Sequence, residues 1–230
     1  MDSFDVKCGN ETIKHVNSVK YLGVQIDNDL SGKSIVKDIV KKVNLRLRFL
    51  YRYKEMLKFK SRKTLCSALI QCLFDYSCSS WYPGINKELK DKLRVAQNKM
   101  IRFILNLDNR AHIGNKELEK AGFLIVKDRI KQLKLGHVFK IKQKTCPYYL
   151  STNFQRLSEN ENRIATRAKA NNFYKPRICT ETFAYIAIDD WNALPNNIKG
   201  IKREENFKES LKKSLLAAAR KDDESIYLYN

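Results

Sequence analysis

Lys37, Lys41, Arg48 and Arg52 stand four, seven and four residues apart, and at about 100° per residue they fall within roughly 60° of one another on a helix. Four cations on one stripe suit the neutralisation of phosphates, a contact that gives affinity without reading base edges. The stripe lies in the most basic part of the chain. Between Ser34 and Thr64, eleven Lys and Arg stand against two acids, Asp38 and Glu55, a net +9 in 31 residues. The whole chain of 230 residues carries 45 Lys and Arg against 25 Asp and Glu, or +20. Solubility needs far less, so a polyanionic partner, nucleic acid first, is expected. A merely solvated basic surface is the other reading. Phe49, Tyr51 and Tyr53 are interleaved with these cations, and their rings suit base stacking or a core equally.

Residues for covalent, acid–base or metal chemistry are scarce. The six cysteines, Cys8, Cys66, Cys72, Cys78, Cys146 and Cys179, never form C-x-x-C, and His15, His112 and His137 are far from any paired cysteine. Buried, reduced thiols are therefore expected rather than a zinc site. The chain has no G-x-x-x-x-G-K-[ST], H-E-x-x-H or G-x-S-x-G. Asp75 sits within an apolar stretch, but a lone carboxylate with no second acid or base has no reaction to run. It is expected to be held by a Lys, an Arg or a backbone amide. Neither catalytic residues nor a cofactor nor a small-molecule substrate are expected. No run approaches the roughly 18 apolar residues of a membrane span, and the first ten residues lack a basic and apolar leader pattern. The expected location is intracellular, nuclear or cytoplasmic, without a membrane partner.

The stripe must be positioned by a core, and 43% hydrophobic residues suffice to build one. Its centre is expected between Lys60 and Leu105. Leu65–Cys78 is apolar or small nearly all round and predicts a wholly buried helical arm. From Ile85 onward Leu89, Leu93, Ala96, Met100 and Phe103 recur at steps of four, four, three, four and three, an amphipathic helix with a basic outer face. Trp81-Tyr-Pro-Gly84 marks the turn between the two arms and Asn86 the cap.

Upstream, Phe4–Cys8 and Glu11–Val16 predict a hairpin around Gly9-Asn10, and Val19–Ile26 predicts a third strand with Gly23 as a bulge. Ser34 is the expected N-cap of a helix reaching about Lys58, with Val36, Val40, Val43, Leu47, Leu50 and Leu57 inward. Downstream, Lys116–Ala121 predicts a short helix before Gly122. Val126 to about Lys142 predicts a longer one with Ile130, Leu133, Val138 and Ile141 inward and Lys127, Arg129, Lys131, Lys134, Lys140 and Lys142 outward. Residues 151–175 read as a linker or basic loop, with Arg163, Arg167, Lys169, Lys175 and Arg177 in or just after it. Thr182–Ile188 predicts a strand, Trp191-Asn-Ala-Leu-Pro195 a turn with a buried anchor, and Glu204–Arg220 a helix on Phe207, Leu211 and Leu215. The fold class is thus mainly α: a helical bundle with a small N-terminal β-hairpin or three-stranded sheet and a short C-terminal α+β extension. The expected division is 1–30, 31–150 and 151–230.

Several stretches, taken in order, resemble the C-terminal part of a non-LTR retrotransposon reverse transcriptase of the jockey-like, LINE-type group. They are Val19-Lys-Tyr-Leu-Gly-Val-Gln-Ile-Asp27, Leu50-Tyr-Arg52, Phe74-Asp-Tyr76 with Trp81, Gln97-Asn-Lys-Met-Ile-Arg102, and Trp191-Asn-Ala-Leu-Pro195 before Phe207-Lys208. The resemblance implies that 1–30 corresponds to the primer-gripping region beside the palm, with Tyr21, Leu22 and Gly23 as grip residues. It implies that 31–150 corresponds to the thumb, which holds the template–primer duplex, and that the basic helix meets its phosphates.

The chain departs from that family where the reaction is performed. Polymerase carboxylates hold two metal ions roughly 3.5 to 4 Å apart, and in the family they lie upstream of the K-Y-L-G strand. Here eighteen residues precede Val19, with Asp2, Asp5 and Glu11 and no aromatic-x-Asp-Asp. Asp189-Asp190 faintly resembles that signature, but Ala187 stands in place of the aromatic and the pair follows the strand instead of preceding it. It is expected to be the turn before Trp191. The implied function is a nucleic-acid-binding fragment that is no enzyme on its own, the full-length family enzyme using magnesium. The alternative is a basic RNA- or DNA-binding module with no polymerase connection.

Overall fold

Two short antiparallel hairpins open the chain. Strand β1 (Lys7–Cys8) pairs with β2 (Glu11–Thr12), Cys8 opposite Glu11; the hairpin lies where the sequence predicts it, but the second strand is shorter than expected, residues 14–16 being irregular. Strand β3 (Ser18–Tyr21) pairs with β4 (Val24–Asp27), Ser18 opposite Asp27 and Tyr21 opposite Val24. The single strand expected over Val19–Ile26 is therefore folded back at Leu22-Gly23, and among the described residues the sheets are two two-stranded ones instead of one three-stranded sheet. Leu22 and Gly23 both have positive φ, 45° and 83°. Such mirror-image turns match the strand twist, and Gly23 adopts this geometry freely whereas Leu22 does so at roughly 1–2 kcal/mol. The computed structural model describes residues 7–9, 11–12, 14–152, 154–157, 171–175 and 182–227, with only the backbone of Cys8 and 221–227. The Phe4–Val6 part of the first predicted strand lies outside those residues.

Helix α1 (Lys33–Tyr51) buries Ile35, Val36, Ile39, Val43, Leu47 and Leu50 on one face. Its cap is not Ser34. The chain enters through Gly32 at φ 71°, where a Cβ would run into the Ile85 side chain. Asp27, at the end of β4, then accepts the Ser34 amide at 3.1 Å and the Ser31 hydroxyl at 3.4 Å. Burial pushes the Asp27 pKa up, but the hydrogen bonds from Ser34 and Ser31 outweigh it and hold the carboxyl below its ordinary 3.8. The expected helix to Lys58 stops at Tyr51. A 3-10 turn over Lys54–Met56 follows, and Leu57 is extended (φ −98°, ψ 121°) with its side chain against the core.

The arm expected to be buried all round is instead segmented and half exposed. It comprises α2 (Phe59–Cys66), a π turn (Ser67–Gln71), α3 (Cys72–Asp75) and, after Ser77 at φ 48°, α4 (Cys78–Trp81). Cys66, Ile70, Phe74 and Cys78 are buried, whereas residues 67–69, Cys72 and Tyr76 are exposed. Buried positions four apart drift by about 40° per step on a regular helix. A wide π turn removes part of that drift and keeps Cys66, Ile70 and Phe74 facing the core.

Helix α5 (Lys87–Leu105) matches its pattern closely. Asn86 caps it, Oδ1 accepting the Leu89 amide at 3.0 Å, and Leu89, Leu93, Ala96, Met100 and Phe103 are all buried. Asn106 ends it at φ 58°, the Leu107 amide reaching back to the Arg102 carbonyl at 2.9 Å. Helices α1 and α5 pack along one another. Helix α6 (Asn115–Ala121) ends at Gly122, and α7 (Val126–Lys142) crosses the molecule.

The described C-terminal residues are mainly helical: α8 (Tyr148–Ser151), α9 (Phe183–Asn192), α10 (Asn196–Lys199) and α11 (Glu204–Tyr227). Where the sequence predicts a linker or basic loop, Arg156 and Phe173 form an antiparallel bridge, and Phe154 and Phe173 are buried because their rings pack in the C-terminal cluster. The strand expected over Thr182–Ile188 is a helix capped by Thr182, whose hydroxyl accepts the Tyr185 amide at 3.3 Å. Its buried residues, Ala187, Ile188 and Trp191, follow helical spacing. Asp189 and Asp190 lie inside this helix, not in a turn. Arg163, Arg167, Lys169 and Arg177 fall outside the described residues.

The result is a mainly α protein with a small antiparallel β part and two hydrophobic clusters. The first is built by α1 to α6 and the start of α7, down to Val126 and Ile130. The second gathers the rest of α7 (Leu135, Val138, Phe139, Ile141) with α9, α10 and α11 around Trp191. Phe139 and Phe207 stack at 4.5 Å, and Trp191 lies 5.7 Å from Phe207.

Candidate nucleic-acid interface

Whether a cation can meet a phosphate depends on what already holds it. Lys37, Lys41, Arg48 and Arg52 are all exposed on the face of α1 opposite the core. Among the described residues none has an ion-pair or hydrogen-bonding partner. Their neighbours differ: Lys42 pairs with Asp38 at 2.6 Å and Lys33 with Asp29 at 3.4 Å. Helix α1 keeps its free charges on one stripe and neutralises cations off it.

Helix α7 has a similar number of cations but uses them internally. Arg129 makes a two-pronged contact to Asp75, its Nη2 and Nε 2.8 and 3.2 Å from Oδ2, and Gln71 donates to the same carboxylate at 2.8 Å. This is the paired acid expected at Asp75. Lys131 and Lys134 hold Asp190 at 3.1 and 2.5 Å, and Lys140 reaches Glu204 at 3.5 Å. Lys142 donates to the Lys199 carbonyl and lies 5.8 Å over the Trp191 ring. Only Lys127 of the six is left exposed and without such a partner. Most of the outer face of α5 is also engaged: Lys92 pairs with Glu88, Lys99 donates to Asn44, and Arg102 donates to the Ala111 carbonyl, while Lys87 at its start is exposed without such a partner.

The three interleaved aromatics separate. Tyr51 joins the core, its ring edge-on to Phe103 at 5.0 Å, and burial raises its pKa. Phe49 and Tyr53 stay outside, 56% and 46% exposed, with ring centroids 5.4 Å apart. Leu45, 52% exposed, continues that band one turn earlier. Its place beside Arg52 follows from helical spacing and was legible in the sequence.

Tyr21, Leu22 and Gly23 form a different site. They make the tip of the β3–β4 hairpin, with Tyr21 and Leu22 exposed. Tyr76 holds that tip, its hydroxyl donating to the Leu22 carbonyl at 2.6 Å. No spacing pattern could have revealed Tyr76, which lies 54 residues from Leu22. Among the described residues no hydrogen bond or ring contact links this tip to the α1 stripe.

The acids resembling a polymerase signature have structural duties. Asp189 pairs with Lys175 at 2.7 Å, and Asp190 is held by α7. Among the described residues no three His, Cys, Asp or Glu side chains come together to hold a metal ion. Of the thiols, Cys66 and Cys78 are buried, whereas Cys72 is exposed and Cys146 half-buried, so burial holds for only some. Among the described residues no helix is long and apolar enough to cross a membrane. No family model matches the chain, and no curated protein and no solved structure matches it significantly.

Proposed function

We propose that the chain binds nucleic acid along α1, with Lys37, Lys41, Arg48 and Arg52 neutralising phosphates. The observation that carries this is the contrast between helices: α1 leaves a four-cation stripe unpaired, while α7 and α5 tie up most of theirs and leave single exposed lysines, Lys127 and Lys87. Phosphate contacts carry no base information, so sequence preference is weak. On the resemblance in its motifs, the chain is the thumb and following part of a non-LTR retrotransposon reverse transcriptase, and Tyr21, Leu22 and Gly23 grip a primer end. Lacking the palm carboxylates, it polymerises nothing alone. This reading implies an intracellular location, nuclear or cytoplasmic.

The test is a salt titration of binding to a labelled duplex. Log K should fall linearly with log salt at about −0.9 per phosphate neutralised. An affinity independent of salt, or none below physiological salt, refutes the reading. On a primed RNA template with magnesium or manganese, no primer extension above buffer is expected.

A further inference from the structure

The aromatic band beside the cationic stripe lies outside both hydrophobic clusters. Phe49 and Tyr53 keep 56% and 46% of their surface exposed, their rings touching each other. Counting about 100° per residue from Lys37, the stripe ends near 60° at Arg52, with Leu45 about 20° and Phe49 about 60° further round. Arg48 and Arg52 are the immediate sequence neighbours of Phe49 and Tyr53. A backbone gripped by those two arginines would have its bases within reach of those two rings.

Resting on the nucleic-acid reading above, we propose that this end of the interface takes unpaired bases, which stack on Phe49 and Tyr53. Bases in a duplex are stacked on each other and turned inward, so they cannot reach rings standing beside a phosphate track. Unpaired bases can, and stacking on aromatic side chains next to a basic groove is how single strands are held without sequence preference. The two rings are tilted by 59°, so they do not form one flat platform. Each serves a separate base along the strand. A membrane surface would also take cations and aromatics, but an interfacial helix lays its apolar face in lipid. The apolar face of α1, from Ile35 to Leu50, is already in the core.

Binding of the full chain is measured to a labelled oligo-dT and to a blunt duplex of the same length, across salt. The wild type should prefer the single strand. Phe49→Ala and Tyr53→Ala should each weaken single-strand binding about tenfold, within the range for loss of one stacked base, while duplex affinity and both salt slopes stay unchanged. Phe49→Leu with Tyr53→Leu should fail to restore affinity, because it returns apolar bulk without a π face. Melting curves check that every variant is folded. If the wild type binds both ligands with a steep salt slope but the ring variants bind the single strand as well as it does, stacking is overturned and phosphate binding stands. If it binds neither, both ideas fall. Ring-dependent binding to phosphatidylserine vesicles, with no preference for the single strand, overturns the proposal in favour of a membrane.

Discussion

Tyr76 donates its hydroxyl to the carbonyl of Leu22 at 2.6 Å, and its Cε1 lies 3.4 Å from where a Cβ on Gly23 would stand. One side chain thus anchors the hairpin and fills the space beside its glycine. Tyr76→Phe should cost about 0.5–1.5 kcal/mol, the usual net value of one hydrogen bond, and should speed amide exchange in β4 more than in α5. Gly23→Ala should cost about 1–2 kcal/mol through its left-handed backbone alone. Urea unfolding of both variants checks this, and an unchanged midpoint for Gly23→Ala would refute the turn geometry.

Asp27 joins the hairpin to α1, and its charge matters to that joint. Its folded pKa is depressed below the ordinary 3.8. The stability this contributes is therefore fully present above 3.8 and is lost as pH falls through the lower folded value. Wild type should exceed Asp27→Asn in unfolding free energy at pH 6, and the difference should shrink once pH drops below about 3.8. A difference that stays constant down to pH 3 would show that the carboxylate charge is not what the Ser34 amide uses.

The stripe and the core face of α1 should be separable by mutation. Changing Lys37, Lys41, Arg48 and Arg52 together to Gln should leave stability within about 0.5 kcal/mol per site. Binding should weaken, and the salt slope should flatten by up to about four contacts' worth. Leu47→Ala, on the buried face, should cost about 2–5 kcal/mol. An intact slope in the folded quadruple variant would reduce the stripe to a solvated surface.

Thiol reactivity should follow burial. Desolvation pushes Cys66 up to about 12 and Cys78 up to about 11, so at pH 8 almost no thiolate exists at either. Of the four cysteines whose side chains are described, Cys72 is the exposed one and should be alkylated before Cys66 and Cys78. Mass-spectrometric mapping of iodoacetamide adducts over time tests the order; early modification of Cys66 in folded protein would contradict the packing of α2.

The parts of the fold that could be read from sequence are those made by residues close together along it. The run from Ile85 to Phe103 defines α5 because helical spacing and the Asn86 cap are local. The stripe on α1 was legible for the same reason. What could not be read depends on groups that meet only in three dimensions. Asp27 displaces Ser34 as the cap because a hairpin carries it there. The turn at Leu22-Gly23 was hidden because leucine seldom accepts positive φ. The π turn at Ser67–Gln71 arises from a four-residue spacing that resembles a buried helix. Thr182–Ile188 misleads because its apolar residues are too few to separate period 2 from period 3.6 until Trp191 is counted. Whether Phe49 or Tyr51 faces water depends on where α5 lies, which places Phe103 against Tyr51 alone.

Helix α7 is a wall of both hydrophobic clusters, giving Val126 and Ile130 to one and Leu135, Val138 and Phe139 to the other. Detaching α7 from either cluster would expose apolar surface, so the two clusters are expected to be coupled in stability through this helix. On the proposed reading, binding free energy gained at α1 would therefore be felt beyond that helix. A ligand present at a hundred times its Kd would add about 2.7 kcal/mol to the stability of whatever unfolds with its site, and the protease resistance of α11, in contact with α7, should rise with it if that coupling holds.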